Sequence, residues 1–151
     1  YKLTATIAKR ATEADKERIK AEELSREVWK HWANAEKLRG NVEQSYKNAT
    51  VLAEEALEIR RNQVDKYWES WTLHFLGSIY RKLNDDQKAL NYYGQSLTIS
   101  REIKNQNIES SALYNLGLTF FRLRQYEKAK NHLEQSLIIE RQNKSRRNEA
   151  Y

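Results

Sequence analysis

Leu73-His74-Phe75-Leu76-Gly77-Ser78-Ile79-Tyr80 is answered 40 residues later by Leu113-Tyr114-Asn115-Leu116-Gly117-Leu118-Thr119-Phe120. The agreement runs well past these positions. Sliding the chain by 40 residues sets 73–104 on 113–144, and 13 of the 32 positions are identical. Among them are both Leu-Gly pairs, Ala89/Ala129, Ser96/Ser136, Leu97/Leu137, Ile99/Ile139, Arg101/Arg141 and Lys104/Lys144. Unrelated segments agree at roughly one position in sixteen, so this is an internal repeat, and a period of this length marks stacked supersecondary units.

Each unit reads as a helical hairpin. Trp68, Trp71, Leu73, Phe75, Leu76, Ile79, Tyr80 and Leu83 form an apolar stripe at helical spacing. Asn84-Asp85-Asp86 supplies turn and amino-cap chemistry, because short acceptor side chains bond the free amides of a following first turn. Ala89, Leu90, Tyr93, Leu97 and Ile99 then continue as a second helix. The next unit repeats the plan with Leu113, Leu116, Phe120 and Leu123, a turn near Arg124-Gln125, and then Ala129, Leu133, Leu137 and Ile139. Gly77 and Gly117 recur at one phase of these helices. A glycine inside a helix costs about 1 kcal/mol against alanine, so its recurrence implies close helix approach, with Ala89 and Ala129 opposite.

Working back toward the amino terminus, the repeat fades. Ala49, Leu57, Ile59 and Arg61 stand 40 residues before Ala89, Leu97, Ile99 and Arg101, so 41–66 reads as a degenerate or capping copy. Its upstream helix lacks the Leu-Gly pair, which would fall on Glu36 and Lys37. Residues 1–40 read as one long amphipathic helix, with Leu3, Ile7, Ala11, Ala14, Ala21, Leu24, Val28, Trp32, Ala35 and Leu38 on its stripe. Gly40-Asn41 is its expected end. The stripe suits either a dimerising coiled coil or packing within the chain. Its alanines make a weak dimer seam and favour the second.

Composition narrows the function. Proline is absent and there are four glycines, against the many turn residues of an all-β fold. Cysteine is absent, which removes disulfides and thiolate metal sites and fits a cytoplasmic protein. No apolar run is long enough to span a membrane. Gly40, Gly77, Gly94 and Gly117 are too scattered for a phosphate loop. His31, His74 and His132 form no pair at metal-ligand spacing, and no serine sits in a nucleophile elbow. No catalytic residue, cofactor or metal is therefore expected. The chain has no methionine and ends in polar, helix-compatible sequence, so it is expected to be a piece of a longer polypeptide. The net charge is +6, and Arg141, Lys144, Arg146 and Arg147 cluster near the end. Such a cluster can meet nucleic acid or an anionic surface, or simply complement a helix carboxy-terminal dipole. No aromatic residue interleaves it as a stacking platform requires, which disfavours nucleic acid.

The positions Leu73, Leu76-Gly77, Tyr80, Ala89, Tyr93, Ser96 and Leu113, Leu116-Gly117, Phe120, Ala129, Leu133, Ser136 resemble the tetratricopeptide repeat. The period is longer than the usual ~34 residues and lacks the usual proline. In this it is similar to the repeats of kinesin light chains, of regulator-of-G-protein-signalling scaffold proteins, and of bacterial and cyanobacterial multidomain proteins. The resemblance implies an all-α, right-handed α-solenoid, with hairpins at 67–106 and 107–147 and a lengthened second helix. It also implies a concave groove lined by the first helices. Mapped onto this chain, the groove residues are Trp71, His74, Phe75, Ser78, Arg81 and Lys82, then Ser111, Tyr114, Asn115, Leu118, Phe121 and Arg122. Asn115 falls where that family often bonds a peptide backbone, and Lys82 and Arg122 where cations meet carboxylates. His74, Phe75 and Ser78 depart from the full carboxylate-clamp pattern, so the expected ligand is an acidic or amphipathic protein segment in general. The main expectation is thus a protein-interaction scaffold. The alternatives are a regulatory or sensor domain of a larger enzyme, such as a protease or signalling ATPase, and a nucleic-acid-binding repeat.

Overall fold

The computed structural model describes the backbone of residues 2–37 and 42–149, and the side chains of 12–34 and 42–145. Its described residues form α-helices joined by short turns and contain no strand. The helices are α1 (Lys2–Lys37), α2 (Val42–Asn62), α3 (Lys66–Lys82), α4 (Asp86–Glu102), α5 (Gln106–Arg122) and α6 (Tyr126–Glu149). They divide into two compact units, residues 1–72 and 73–151.

In the first unit α1 lies along α2. Gln63 Nε2 donates to the Ala14 carbonyl (3.2 Å), Lys20 Nζ pairs with Glu55 (2.7 Å), and the Trp32 and Tyr46 rings meet edge-on at 5.3 Å. As residue numbers rise on α1 they fall on α2, so the two run antiparallel. Ala21, Ala49, Ala53 and Ala56 are buried between them with Val28 and Leu57. Alanine carries little bulk, which lets two long helices approach closely despite their polarity. The long first helix is thus present and packs within the chain. The expected break at Gly40-Asn41 lies outside the described residues. Arg60 is buried at the foot of α2, where Asp65 (3.5 Å) and the face of Trp68 (5.4 Å) take its charge.

The second unit holds consecutive hairpins. Ala89, Tyr93 and Leu97 of α4 pack with Ala112, Leu113 and Leu116 of α5, and Tyr80, Leu90, Phe120 and Ile139 close around them. Between α5 and α6, the Ser136 hydroxyl donates to the Ser110 carbonyl (3.0 Å) and the Ser110 hydroxyl to Glu140 (2.6 Å). Two small hydroxyls thus bring these helices together where larger side chains would hold them apart.

All four described turns have one geometry. Val64, Asn84, Lys104 and Arg124 take left-handed backbone, with φ of 56°, 60°, 56° and 59°. Each of these amides donates to the carbonyl three residues back, and the next amide to the carbonyl five back; at the second turn these are Asn84 to Arg81 (3.1 Å) and Asp85 to Tyr80 (2.9 Å). This double closure satisfies carbonyls that a helix end leaves open. The next helix is then capped by Asp65, Asp85 or Asn105, which accept from the amides of Trp68, Lys88 and Ile108 at 3.3, 3.1 and 3.1 Å. Within the expected Asn84-Asp85-Asp86 turn the duties are therefore divided: Asn84 bends the chain, Asp85 caps, and Asp86 opens α4. One expectation needs correcting. The second helix is not lengthened in the first hairpin, where α3 and α4 are each 17 residues, whereas in the second α6 has 24 residues against 17 in α5.

The packing reason for the recurrent glycines is visible, and it differs in part from the expected one. A methyl group on Gly77 would lie 2.7 Å from Cδ1 of Tyr93, and one on Gly117 would lie 2.6 Å from Cγ of Leu133 and 3.2 Å from the Ala129 carbonyl. The close approach is to a large apolar side chain rather than to alanine methyls. The Tyr93 ring is fully buried and cannot swing aside. We expect Gly77→Ala to destabilise by about 1–2 kcal/mol, as overpacking outweighs the gain in helix propensity. Gly94 has nothing within 4 Å of such a methyl, so Gly94→Ala should stabilise by about 1 kcal/mol. Urea denaturation of the two variants reads both signs, and equal effects would refute the packing argument.

Candidate functional site

The expected groove residues fall on α3 and α5. Trp71 lies half-buried in the first unit, and the others belong to the second. There α3 and α5 meet through polar contacts. Asn115 Nδ2 donates to the Ser111 carbonyl and reaches His74 Nε2, both at 3.0 Å. Burial, helped by the nearby Arg81 cation, holds the His74 pKa down at about 4 against the partial opposition of the Ser111 backbone. At neutral pH the imidazole is therefore uncharged and can accept from Asn115. The Ser78 hydroxyl donates to the His74 carbonyl (3.2 Å) and accepts from the Tyr93 hydroxyl (3.0 Å), and the Tyr93 and His74 rings stand 5.4 Å apart.

Two helical turns further along α5, Arg122 binds back to the α3–α4 turn. Its Nη1 donates to the Arg81 carbonyl (3.1 Å), its Nη2 to Asn84 Oδ1 (3.0 Å), and its Nε lies 3.5 Å from Asp86 Oδ1. Both terminal nitrogens of this guanidinium thus have internal acceptors, and the Asp86 carboxylate takes its charge as an ion pair. The cation expected to meet a ligand carboxylate fastens two hairpins instead. Arg81 is different, because its Nε is buried and has no hydrogen-bond partner.

The remaining expected residues spread around this cluster. Lys82 is exposed, Leu118 and Phe75 are half-buried, and Tyr114 and Phe121 are exposed aromatics. Phe121 meets Tyr126 edge-on at 5.5 Å, so α6 extends the aromatic strip. Sequence mapping missed Tyr93, Asn84, Asp86 and Tyr126. The repeat offset could have found the pairing, since His74 with Asn115 and Arg81 with Arg122 both span 41 positions, one more than the period.

Among the described residues no group of three His, Asp or Glu side chains is placed to hold a metal ion, and no helix is long and apolar enough to cross a membrane. Comparison with known proteins agrees with the geometry. The family pattern described as the tetratricopeptide repeat matches residues 27–102, and another of the same description matches 110–143. The first match begins inside α1, so the degenerate copy draws part of that helix into the repeat pattern. No curated protein matches the chain. Among solved structures, the TPR domain of Arabidopsis FLU superposes with a TM-score of 0.67 at 18% identity, covering 79% of this chain and 95% of that one. That identity bears on the fold alone, which is one of helical hairpins stacked in sequence. With its repeats, its turns and its Leu-Gly contacts all in place, the chain belongs to the tetratricopeptide repeat family, whose fold is a protein-interaction module.

Proposed function

We propose that this protein is an interaction scaffold that holds an acidic or amphipathic segment of a partner protein along α3 and α5 of its second unit. The observation that supports this reading is the Arg81 guanidinium, whose buried Nε has no hydrogen-bond partner, on the same two helices as the His74–Asn115 pair and the exposed aromatics Tyr114 and Phe121. A buried donor without an acceptor costs about 1–3 kcal/mol. A partner carboxylate pairing with the terminal nitrogens of the same guanidinium would offset that cost. Lys82 adds a cation at the rim, and the aromatic rings and Leu118 offer apolar contact to the other face of an amphipathic segment. Asn115 and Arg122 act in this reading mainly by fixing the site, since both already bond within the chain.

The test is a fluorescence-anisotropy titration with a panel of acidic amphipathic peptides and their charge-neutral counterparts. Losing a charge-assisted hydrogen bond in a desolvated site is worth about 1.5–3 kcal/mol, so Arg81→Ala should weaken the acidic peptides roughly ten- to hundredfold. It should leave the helical circular dichroism unchanged. If Arg81→Ala binds the whole panel as tightly as the parent protein, the site lies elsewhere.

A further inference from the structure

His74, Ser78 and Arg81 follow one another on α3 at steps of four and three, so they share one helical face, and the hydroxyl of Tyr93 on α4 reaches it. Forty residues on stand Tyr114, Leu118, Phe121 and Leu133. The hydroxyl, the cation and the tyrosine that accompany each other in one repeat are thus replaced together in the next, by apolar or aromatic side chains. The backbone beneath does not change. Gly77 lies against the Tyr93 ring, and Gly117 lies against the Leu133 side chain in the same way. Leucine can therefore fill this place, and the hydroxyl of Tyr93 calls for another reason than packing. What the leucine hairpin lacks is the arginine.

The hydrogen bonds around that hydroxyl run in one direction. Tyr93 donates to Ser78 Oγ (3.0 Å), and Ser78 donates to the His74 carbonyl (3.2 Å). With its proton committed to Ser78, the Tyr93 oxygen offers only lone pairs on its remaining side. Arg81 meets them. Burial pushes the Tyr93 pKa up, and Ser78 and Arg81 pull it partway back, Arg81 by its charge and by a side-chain hydrogen bond. Nε of Arg81 is buried without a hydrogen-bond partner, so the bond to Tyr93 comes from a terminal nitrogen. The backbone at Arg81 is held as well, since its carbonyl accepts from Arg122 Nη1 (3.1 Å).

We infer that Tyr93 is a positioning residue for an acidic ligand: its buried hydroxyl sets the plane of the Arg81 guanidinium, so that the α3–α4 hairpin reads a carboxylate and the α5–α6 hairpin reads apolar side chains. This rests on the scaffold function proposed above and assigns its two chemistries to separate hairpins. An arginine held in place before the ligand arrives loses less freedom on binding. A guanidinium whose plane is fixed can also grip both oxygens of a carboxylate, which a swinging one does only after paying to be ordered. On the neighbouring hairpin Tyr114 and Phe121 are 50% and 59% exposed, and they supply area rather than charge. The partner segment that fits carries an aspartate or glutamate with apolar residues to one side of it.

Fluorescence anisotropy with a glutamate-rich amphipathic peptide, and with the same peptide carrying glutamine for each glutamate, tests this in four proteins: the parent, Arg81→Ala, Tyr93→Phe and the double variant. Tyr93→Phe keeps the buried ring, and circular dichroism should show it folded. It should weaken the acidic peptide about three- to tenfold and leave the glutamine peptide unchanged. In the Arg81→Ala protein, adding Tyr93→Phe should alter neither affinity, because the hydroxyl acts through the arginine. If Arg81→Ala weakens the acidic peptide and Tyr93→Phe does not, the positioning role is overturned while the scaffold function stands. If Tyr93→Phe weakens both peptides alike, or still weakens the acidic one without Arg81, the hydroxyl merely supports the hairpin, and the positioning role is overturned again. If the parent binds no acidic peptide, or Arg81→Ala binds it as tightly as the parent, the proposed site itself fails and the role of Tyr93 fails with it.

Discussion

Tyr93→Ala should lower the stability of the second unit by about 3–5 kcal/mol, the range for removing a buried aromatic side chain. The Tyr93 ring is fully buried and fills the space opposite Gly77, where the facing helix offers no side chain. Truncation therefore opens a hole that a backbone helix cannot close by moving a rotamer. The ring also lies 5.4 Å from the His74 ring, and its hydroxyl donates to Ser78. Two milder variants separate these contributions. Tyr93→Phe keeps the ring and loses only the hydroxyl, so about 1 kcal/mol is expected. Tyr93→Leu places there the residue that the next repeat uses against Gly117, and its cost should fall between the other two. Urea midpoints followed by circular dichroism give the order. If Phe and Ala cost the same, the hydroxyl rather than the filled volume holds this hairpin together.

A second large effect is expected from pH. Burial holds the His74 pKa near 4 in the folded protein, against 6.5 for the free side chain. The unfolded chain thus takes up a proton near pH 6.5, while the folded chain resists until about pH 4. The stability linked to His74 is fully present above pH 6.5 and is lost as the pH falls toward 4, by up to about 3 kcal/mol. His74→Gln should flatten this slope between pH 7.5 and 4.5, since glutamine can still bond Asn115 but does not titrate. Burial also lowers the pKa of His132, which contributes in the same direction. That term is common to both proteins and cancels in the comparison. Matching slopes for His74→Gln and the parent would show that His74 is solvated after all. Within the proposed site, the same proton would turn the imidazole from an acceptor for Asn115 into a donor and loosen the α3–α5 contact.

The fold was legible because its signals are periodic. Leu76-Gly77 and Leu116-Gly117 fixed the phase of the close contacts, and Asp85 announced a helix start through its own side chain. The partner of each glycine was less legible. Alanine opposite glycine is an equally sound way to bring two helices together, and only the packing shows Tyr93 and Leu133 in that place. The left-handed positions at Val64, Lys104 and Arg124 carried no signal of their own, because neither glycine nor asparagine occupies them. There the flanking helices impose a conformation that these residues do not favour by themselves. At the candidate site, residue type suggested that Arg122 would meet a ligand. Its actual partners, the acceptor Asn84 and the ion-paired Asp86, sit on a turn 36 or more residues away, a distance that no local reading spans. The exposure of Leu137 was hidden for another reason: Leu97 and Leu137 are the same residue in the same register, and only burial tells them apart.

The uniform turn has a consequence for how such a chain can grow. The left-handed residue recurs every 20 positions, at 64, 84, 104 and 124, while the apolar pattern recurs only every 40. A tandem duplication of 20 residues would rejoin helix to helix with a sound bend. It would also set a helix of the α4 kind where one carrying Leu-Gly belongs, and bring two bulky faces together. A duplication of 40 residues restores both the bend and the face wherever its breakpoints fall. Lengthening by whole hairpins is thus tolerated at any crossover point, and lengthening by single helices at none.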